Sequence, residues 1–440
     1  MQDACQNRKW HQEEGSFYPP NTTCDFGLLS CIWYYIAVIL SLRKRYFEGD
    51  MARGFMALYT GKTISNIAVN LLGMFLPIFL YTLFDGNFTL VALQFLLGYL
   101  AYGLSVPIGG FFLNRYGFNH SLRLSTFFAA SSFAFLYFMR PDNVLYLLPF
   151  QIAATTLYRL LFWLPFHVDF AEFSDASKRG SEISFFDATV NVIGIATPIL
   201  AGFIITRYGY DALFALAMII FLMALVPYHF IPEIGERFSW SYRRTVRELF
   251  VKRNRKPTLA FMADGAEEIV GYLVWPIVIY QLLHGDLLKV GIISTVIVGA
   301  TVILELAVGK YTDSRFGKEK LVKYGSILSA IGWIIKIFIA TAFQIFIVDT
   351  YHKFTKIIMR IPFAAMAYER AADRGHYIDE YTVLYEMAIN MGRVLMILAV
   401  MVAALFISLQ WTFLFGAFAS VFLNLLRVKH HPHALRPIAA

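Results

Sequence analysis

Long apolar segments follow one another along most of this chain, each about the length needed to cross a lipid bilayer as a helix. Apolar runs of about 18 residues or more with flanking charge are typical of membrane-spanning helices. Because these runs lack the alternation of apolar and polar residues seen in barrel strands, we predict an all-α membrane protein. The twelve predicted helices cover approximately residues 55–84, 88–113, 121–139, 143–169, 181–206, 210–232, 257–284, 287–309, 319–340, 342–369, 378–409 and 411–427.

A shorter apolar run of 17 residues, 26–42, lies within the N-terminal segment 1–54 and is followed by three basic residues. Its length is close to the lower limit for a membrane span. We interpret it as a short helix that lies at or dips into the cytoplasmic face, with its aromatic residues as interface anchors. An additional membrane span is the alternative.

The two halves of the chain carry the same landmarks at a constant offset. Gly110-Phe-Phe-Leu-Asn-Arg-Tyr-Gly117 is echoed 199 positions later by Gly309-Lys-Tyr-Thr-Asp-Ser-Arg-Phe-Gly317, and Pro77–Tyr81 reappears as Pro276–Tyr280. A constant offset of this kind indicates a tandem structural repeat. Two membrane-embedded repeats joined by a polar linker are typical of one large class of secondary transporters.

The first of these loops resembles the signature of the major facilitator superfamily, Gly-x-x-x-Asp-Arg/Lys-x-Gly, which joins the second and third helices in that family. The chain departs from the signature twice: Asn114 stands where the family usually has Asp, and the second copy has one extra residue. The loop residues that we expect to act in gating are Gly110, Asn114, Arg115, Gly117, Gly309, Asp313, Arg315 and Gly317.

The resemblance implies two pseudo-symmetric six-helix bundles, residues 55–232 and 257–427, that rock about a central site to give alternating access. Residues 233–256 would form a basic linker between the bundles, and 428–440 a tail. In this family the first and fourth helices of each half line the central cavity.

Composition and charge support a membrane protein and set its orientation. Hydrophobic residues make up 58% of the chain and charged residues 15%, with a mean hydropathy of +0.57, whereas a soluble domain has about 25% charged residues. Basic residues crowd the side that holds the linker, while the other side holds Arg140, Arg207 and Lys289. The positive-inside rule therefore predicts a multi-pass protein of the plasma (inner) membrane, with linker and C-terminus cytoplasmic. This orientation explains the net charge of +8 without a nucleic-acid partner.

Ionisable residues inside the predicted helices are the candidates for chemistry, because each costs about 2.5–3.5 kcal/mol at the membrane centre and therefore usually faces a cavity or a partner. Asp264 and Glu268 are four residues apart, and the other candidates recur at intervals of three and four, which places each set on one helix face. The candidate substrate and coupling residues are Asp264, Glu268, Lys356, Arg360, Glu386, Asn390 and Arg393.

We expect the carboxylates of Asp264, Glu268 and Glu386 to pair with Arg360 and to exchange that partner during transport. One of them would bind a proton once removed from water. Ion pairs that only fix helix packing are the alternative. We predict that three further residues lie at the membrane interface. Lys336 is expected to extend its side chain to water, and His167 and Asp169 to be solvated at the cytoplasmic end.

The sequence thus predicts secondary active transport of a small solute, with the proton as the expected coupling ion and the chain acting as a monomer. The excess of basic residues favours an anionic or polar solute. The glycine/proline segment Gly194–Gly202 partly resembles the antiporter signature, and this resemblance slightly favours export over import. A transport-inactive membrane sensor is the alternative, followed by an intramembrane enzyme using His167 or His352. Catalytic and phosphate-binding motifs are absent from the sequence, so we expect no enzyme activity, cofactor or metal.

Overall fold

The computed structural model describes residues 50–173, 179–232, 238–312, 317–372 and 378–426. Within these ranges the regular structure is helical and contains no strand. The apolar run 26–42 and the tail 428–440 lie outside the described residues.

The α-helices are α1 Asp50–Leu72, α2 Phe75–Leu83, α3 Phe88–Tyr116, α4 Phe118–Phe138, α5 Val144–Phe173, α6 Arg179–Met223, α7 Leu225–Tyr228, α8 Tyr242–Phe250, α9 Arg255–Ile269, α10 Trp275–Leu282, α11 Leu287–Thr312, α12 Lys318–Lys336, α13 Ala342–Ala372, α14 Ile378–Ala403 and α15 Phe413–Phe422.

The prediction of an all-α membrane protein is confirmed. Five of the described helices are long and apolar enough to cross a membrane, and six if α1 and α2 count as one bent span. The remaining predicted spans are shorter, less apolar or more charged. Two predicted spans form the single helix α6, which breaks at Gly209, where φ is 82°.

The first helix of each half is interrupted at matching positions. In the first half, α1 and α2 meet at a bend of 41° beside Gly73, which has a positive φ. In the second half, a π-helical turn at Val270–Val274 separates α9 from α10. The turns that follow also match, because the N–H of Gly86 donates to the carbonyl of Tyr81 as that of Gly285 donates to Tyr280. The repeat predicted from sequence is therefore visible in the backbone.

The halves meet mainly through two helix pairs: α3 packs on α14, and α6 packs on α11. In the second pair, a β-carbon at Gly202 would lie 2.8 Å from the carbonyl oxygen of Leu287. Gly202 therefore allows two helix backbones to approach closely. The Gly194–Gly202 segment thus has a packing role at the junction of the halves.

Within the second half, α9 and α14 are in backbone contact through two glycines. A β-carbon on Gly265 would collide with the carbonyl of Ile389, and one on Gly392 would collide with that of Met262. This close approach brings the polar face of α9 against the polar face of α14. The position of the site described below depends on it.

Replacing Gly392 with alanine should therefore destabilise the protein by about 1–3 kcal/mol, as expected for overpacking against a backbone that cannot yield. Thermal unfolding in detergent measures the effect. Gly299→Ala is the matched control, because a β-carbon there meets Ile195 at an ordinary 3.9 Å. Equal melting temperatures of the two variants would contradict the close contact.

Candidate functional site

The predicted site residues lie on three helices of the second half, of which α14 packs on α3 and α5 of the first half. Asp264 and Glu268 are on α9, Lys356 and Arg360 on α13, and Glu386, Asn390 and Arg393 on α14. We call the helix ends next to α8 the linker side and the opposite ends the far side.

Glu268 and Arg393 form the central ion pair, with 2.6 Å between Oε2 and Nη2. The Arg393 side chain also donates to Asn390 Oδ1 at 3.1 Å. The Glu268 side chain is 39% exposed and that of Arg393 17%, so the pair is accessible from the space between the helices. Arg393 is the direct partner of Glu268 in this structure, because α14 approaches α9 so closely, and the expected pairing of the carboxylates with Arg360 stays a prediction. Arg360 interacts electrostatically with both Asp264 and Glu268.

Glu386 connects the two halves. Its Oε2 accepts a hydrogen bond from the Tyr102 hydroxyl of α3 at 3.1 Å, and its Oε1 lies 3.3 Å from His167 Nε2 of α5. Asn390, one turn along, donates to the Glu386 carbonyl at 2.7 Å. The expectation of solvated residues at the end of α5 was wrong, because His167 is only 14% exposed and Asp169 is fully buried.

A second buried cluster lies behind this face; Lys356 was predicted from sequence as a candidate, whereas its partner Glu267 was not. Glu267 is fully buried, its Oε2 is 2.7 Å from Lys356 Nζ, and its Oε1 accepts a hydrogen bond from Trp333 Nε1 at 2.9 Å. His352 lies beside the same carboxylate at 3.8 Å and within hydrogen-bond distance, 3.1 Å, of Ser329 Oγ. Glu267 adjoins Glu268 in sequence but points about 100° away around the helix. This angular separation could have predicted from the sequence that Glu267 and Glu268 belong to two different clusters.

Lys336 belongs to the packed interior of the second half. Its ammonium is 2.7 Å from Asp349 Oδ1 and lies over the rings of Trp275 and Trp333, at 4.1 and 4.6 Å from their centroids. The residue is 1% exposed. The expectation that it reaches water was therefore wrong, since Asp349 and two indole rings stabilise the charge in place of water.

The first half presents basic residues against aromatic rings. The Lys62 ammonium of α1 lies 4.0 Å from the ring centroid of Trp163 and 4.4 Å from that of Phe162, and the residue is 6% exposed. The guanidinium of Arg159 lies 4.3 Å from the centroid of the Tyr99 ring. Neither residue was nominated from sequence. The sequence did offer a signal for both residues, because each is a basic residue within an apolar segment of the first or fourth predicted helix of the first half.

The predicted loop Gly110–Gly117 is the end of a helix. α3 continues to Tyr116, and only Gly117 leaves the helical conformation, with a φ of 81° that favours glycine. Arg115 is exposed beside Tyr116. In the second copy, Gly309 lies within α11, Asp313 and Arg315 lie outside the described residues, and Gly317 precedes α12 with an ordinary φ of −63°.

Asn114 binds the linker through both ends of its amide. Its Nδ2 donates to the carbonyl of Phe238 at 2.6 Å, and its Oδ1 accepts from the N–H of the same residue at 2.8 Å. The next residue, Ser239, donates through its N–H and hydroxyl to Glu380 Oε1 of the second half, at 3.0 and 2.5 Å. Phe238 and Ser239 thus connect the two halves on the linker side. On the far side, Gln281 of α10 donates to the Tyr81 hydroxyl of α2 at 2.8 Å.

An aspartate at position 114 can accept from Phe238 but cannot donate. We therefore expect Asn114→Asp to leave the Phe238 carbonyl unpaired and to destabilise the protein by about 1–3 kcal/mol. Asn87→Asp is the matched control, because Asn87 Oδ1 only accepts a hydrogen bond, from the N–H of Leu90.

Thermal unfolding and the rate of tryptic cleavage in the linker measure this prediction. A lower melting temperature and faster cleavage are expected for Asn114→Asp alone. If both substitutions behave like the unsubstituted protein, the two-way amide bond does not hold the linker.

Comparison with known proteins shows what the chain is similar to. Residues 58–263 match the family model described as Major Facilitator Superfamily. A Bacillus subtilis (strain 168) protein described as uncharacterized protein YqgE is 25% identical over 395 residues, which cover 81% of this chain and 84% of that protein.

Two solved structures share the fold at 12% sequence identity. The Escherichia coli fucose:proton symporter FucP superposes with a TM-score of 0.60 and covers 84% of this chain and 97% of its own. The human organic anion transporter MFSD10 (TETRAN) superposes with a TM-score of 0.62, with coverages of 86% and 100%. The resemblance to the major facilitator superfamily is thereby confirmed, with the subfamily unassigned. These comparisons support transmembrane transport of a solute by a multi-pass membrane protein that is not an enzyme.

Proposed function

We propose that this chain, which matches the major facilitator superfamily over residues 58–263 and shares its fold over most of its length, is a proton-coupled secondary active transporter of a small solute. The observation that carries the proposal is the polar row along α14, where Asn390 connects the Glu268–Arg393 pair to Glu386 and its partner His167 of the first half. We further propose that the protein acts as a monomer in the plasma (inner) membrane, with its linker and C-terminus in the cytoplasm.

The Glu268–Arg393 pair is proposed as the coupling element. Because the pair is accessible, a proton can reach the Glu268 carboxylate and remove the charge that holds Arg393. Arg393 would then be free to bind the solute, while Asp264 and Arg360, which both interact electrostatically with Glu268, would exchange partners with the pair. Proton binding to Glu268 would thus release the Arg393 guanidinium, the same group that binds the solute.

The Glu386 contacts would couple this event to alternating access. Tyr102 and His167 belong to the first half and Glu386 to the second, so separating the halves on the linker side must break both contacts. Asn390 and Arg393 continue the same face of α14 toward the middle of the helix. A change in the charge at Glu268 can therefore reach Glu386 through one hydrogen-bonded row.

Two findings bear on the solute and the direction. The named neighbours include a fucose:proton symporter and an organic anion transporter, which is compatible with a proton as coupling ion and an anion as solute. The resemblance of Gly194–Gly202 to the antiporter signature leans to export, although its packing on α11 explains these small residues equally well.

Replacing Glu268 with glutamine removes the proposed proton-binding group, and we expect transport to lose its dependence on pH. Purified protein in proteoliposomes can be tested by solid-supported membrane electrophysiology, with a panel of organic anions, sugars and amino acids from mildly acidic to mildly alkaline pH. Glu319→Gln, an exposed position at the start of α12, is the control. A Glu268→Gln variant with an unchanged pH profile would exclude Glu268 as the coupling residue.

A further inference from the structure

Two arginines, one from each half, meet at a single aromatic ring. Arg159 of α5 and Arg393 of α14 place their guanidinium groups 4.3 and 4.9 Å from the centroid of the Tyr99 ring. Tyr272, at the break in the first helix of the second half, interacts electrostatically with both arginines. These side chains come from four helical segments, so both halves meet at this ring.

The charges at this junction do not balance. Arg393 is paired with Glu268 at 2.6 Å. Among the described residues, no carboxylate forms an ion pair with Arg159 or with Lys62, which lies against the next turns of α5. Guanidinium groups keep their proton in proteins, so Arg159 carries an uncompensated positive charge in a region where charge is costly.

We propose that Arg159 and Arg393 form an anion-binding subsite over the Tyr99 ring, which holds the carboxylate of an organic anion solute. This inference rests on the proposed transport function and names its substrate class. A carboxylate between the two guanidinium forks would accept charge-assisted hydrogen bonds from both. It would also provide the ion-pair partner that Arg159 lacks among the described residues.

The surroundings favour an organic anion over an inorganic one. The Tyr99 ring stacks at 6.4 Å on Phe95, and Phe95 meets the edge of Tyr272 at 5.8 Å. These rings form an apolar wall beside the two charges, which suits a solute with an aromatic or aliphatic body. The aromatic rings around Lys62 continue this wall toward the linker side.

Thermal shift of the purified protein with matched probes tests the subsite. Benzoate, hexanoate and succinate supply the anion, and benzamide and benzylamine supply a neutral and a cationic relative of benzoate. We expect at least one of the three anions, but neither relative, to raise the melting temperature of the unsubstituted protein. Arg159→Gln should abolish the shift, and Arg159→Lys should reduce it because the fork is lost. Arg140→Gln, an exposed arginine paired with Asp211, should keep it.

The apo protein provides a second readout that separates binding from packing. Removing an unpaired charge should leave the melting temperature of apo Arg159→Gln equal to or above that of the unsubstituted protein, whereas loss of a structural contact would lower it. The inference is overturned if no anion produces a shift, if benzamide or benzylamine binds as well as benzoate, or if the anion shift survives in Arg159→Gln.

Transport measurements distinguish this inference from the proposed function. If the protein moves only neutral or cationic solutes in a pH-dependent way, transport stands and the anion subsite is overturned. If benzoate, hexanoate or succinate binds through Arg159 without crossing the membrane, the subsite stands and the transport proposal fails.

Discussion

The cost of placing charge inside a bilayer governs how this chain is built. In the second half, three carboxylates each pair with a lysine or an arginine on a neighbouring helix, and these pairs link α9, α12, α13 and α14. Because removing one partner would leave the other unpaired, the pairs also define which helix faces meet. The three ion pairs are Glu267–Lys356, Asp349–Lys336 and Glu268–Arg393.

The two halves repeat each other in backbone but not in chemistry. The breaks in their first helices and the turns that follow occur at matching positions. Yet the ion pairs Glu267–Lys356, Asp349–Lys336 and Glu268–Arg393 lie in the second half, whereas Lys62 and Arg159 of the first half lie against aromatic rings. Contact between the halves therefore brings Arg159, which forms no ion pair among the described residues, beside the Glu268–Arg393 pair. This arrangement underlies both proposals made above.

The linker is part of the packed structure at the junction of the halves. The Asn114 side chain forms hydrogen bonds with both the N–H and the carbonyl of Phe238. Glu380 accepts hydrogen bonds from the N–H and the hydroxyl of Ser239. An amide at position 114 suits this role because it donates and accepts at once, which a carboxylate cannot do. The departure from the family signature at Asn114 thus has a physical reason in this chain.

Hydrophobic runs and the constant offset by themselves determined the membrane class, the approximate helices and the repeat, since these depend on local composition and spacing. Spacing also placed Glu386, Asn390 and Arg393 on one helix face. It did not identify partners: Glu268 pairs with Arg393, and Lys336 is buried rather than solvated. Partners depend on how helices rotate and how closely they approach, which glycine contacts between α9 and α14 decide. Only the tertiary structure could bring Arg159 and Arg393 to one ring, because each lies on a different half of the chain.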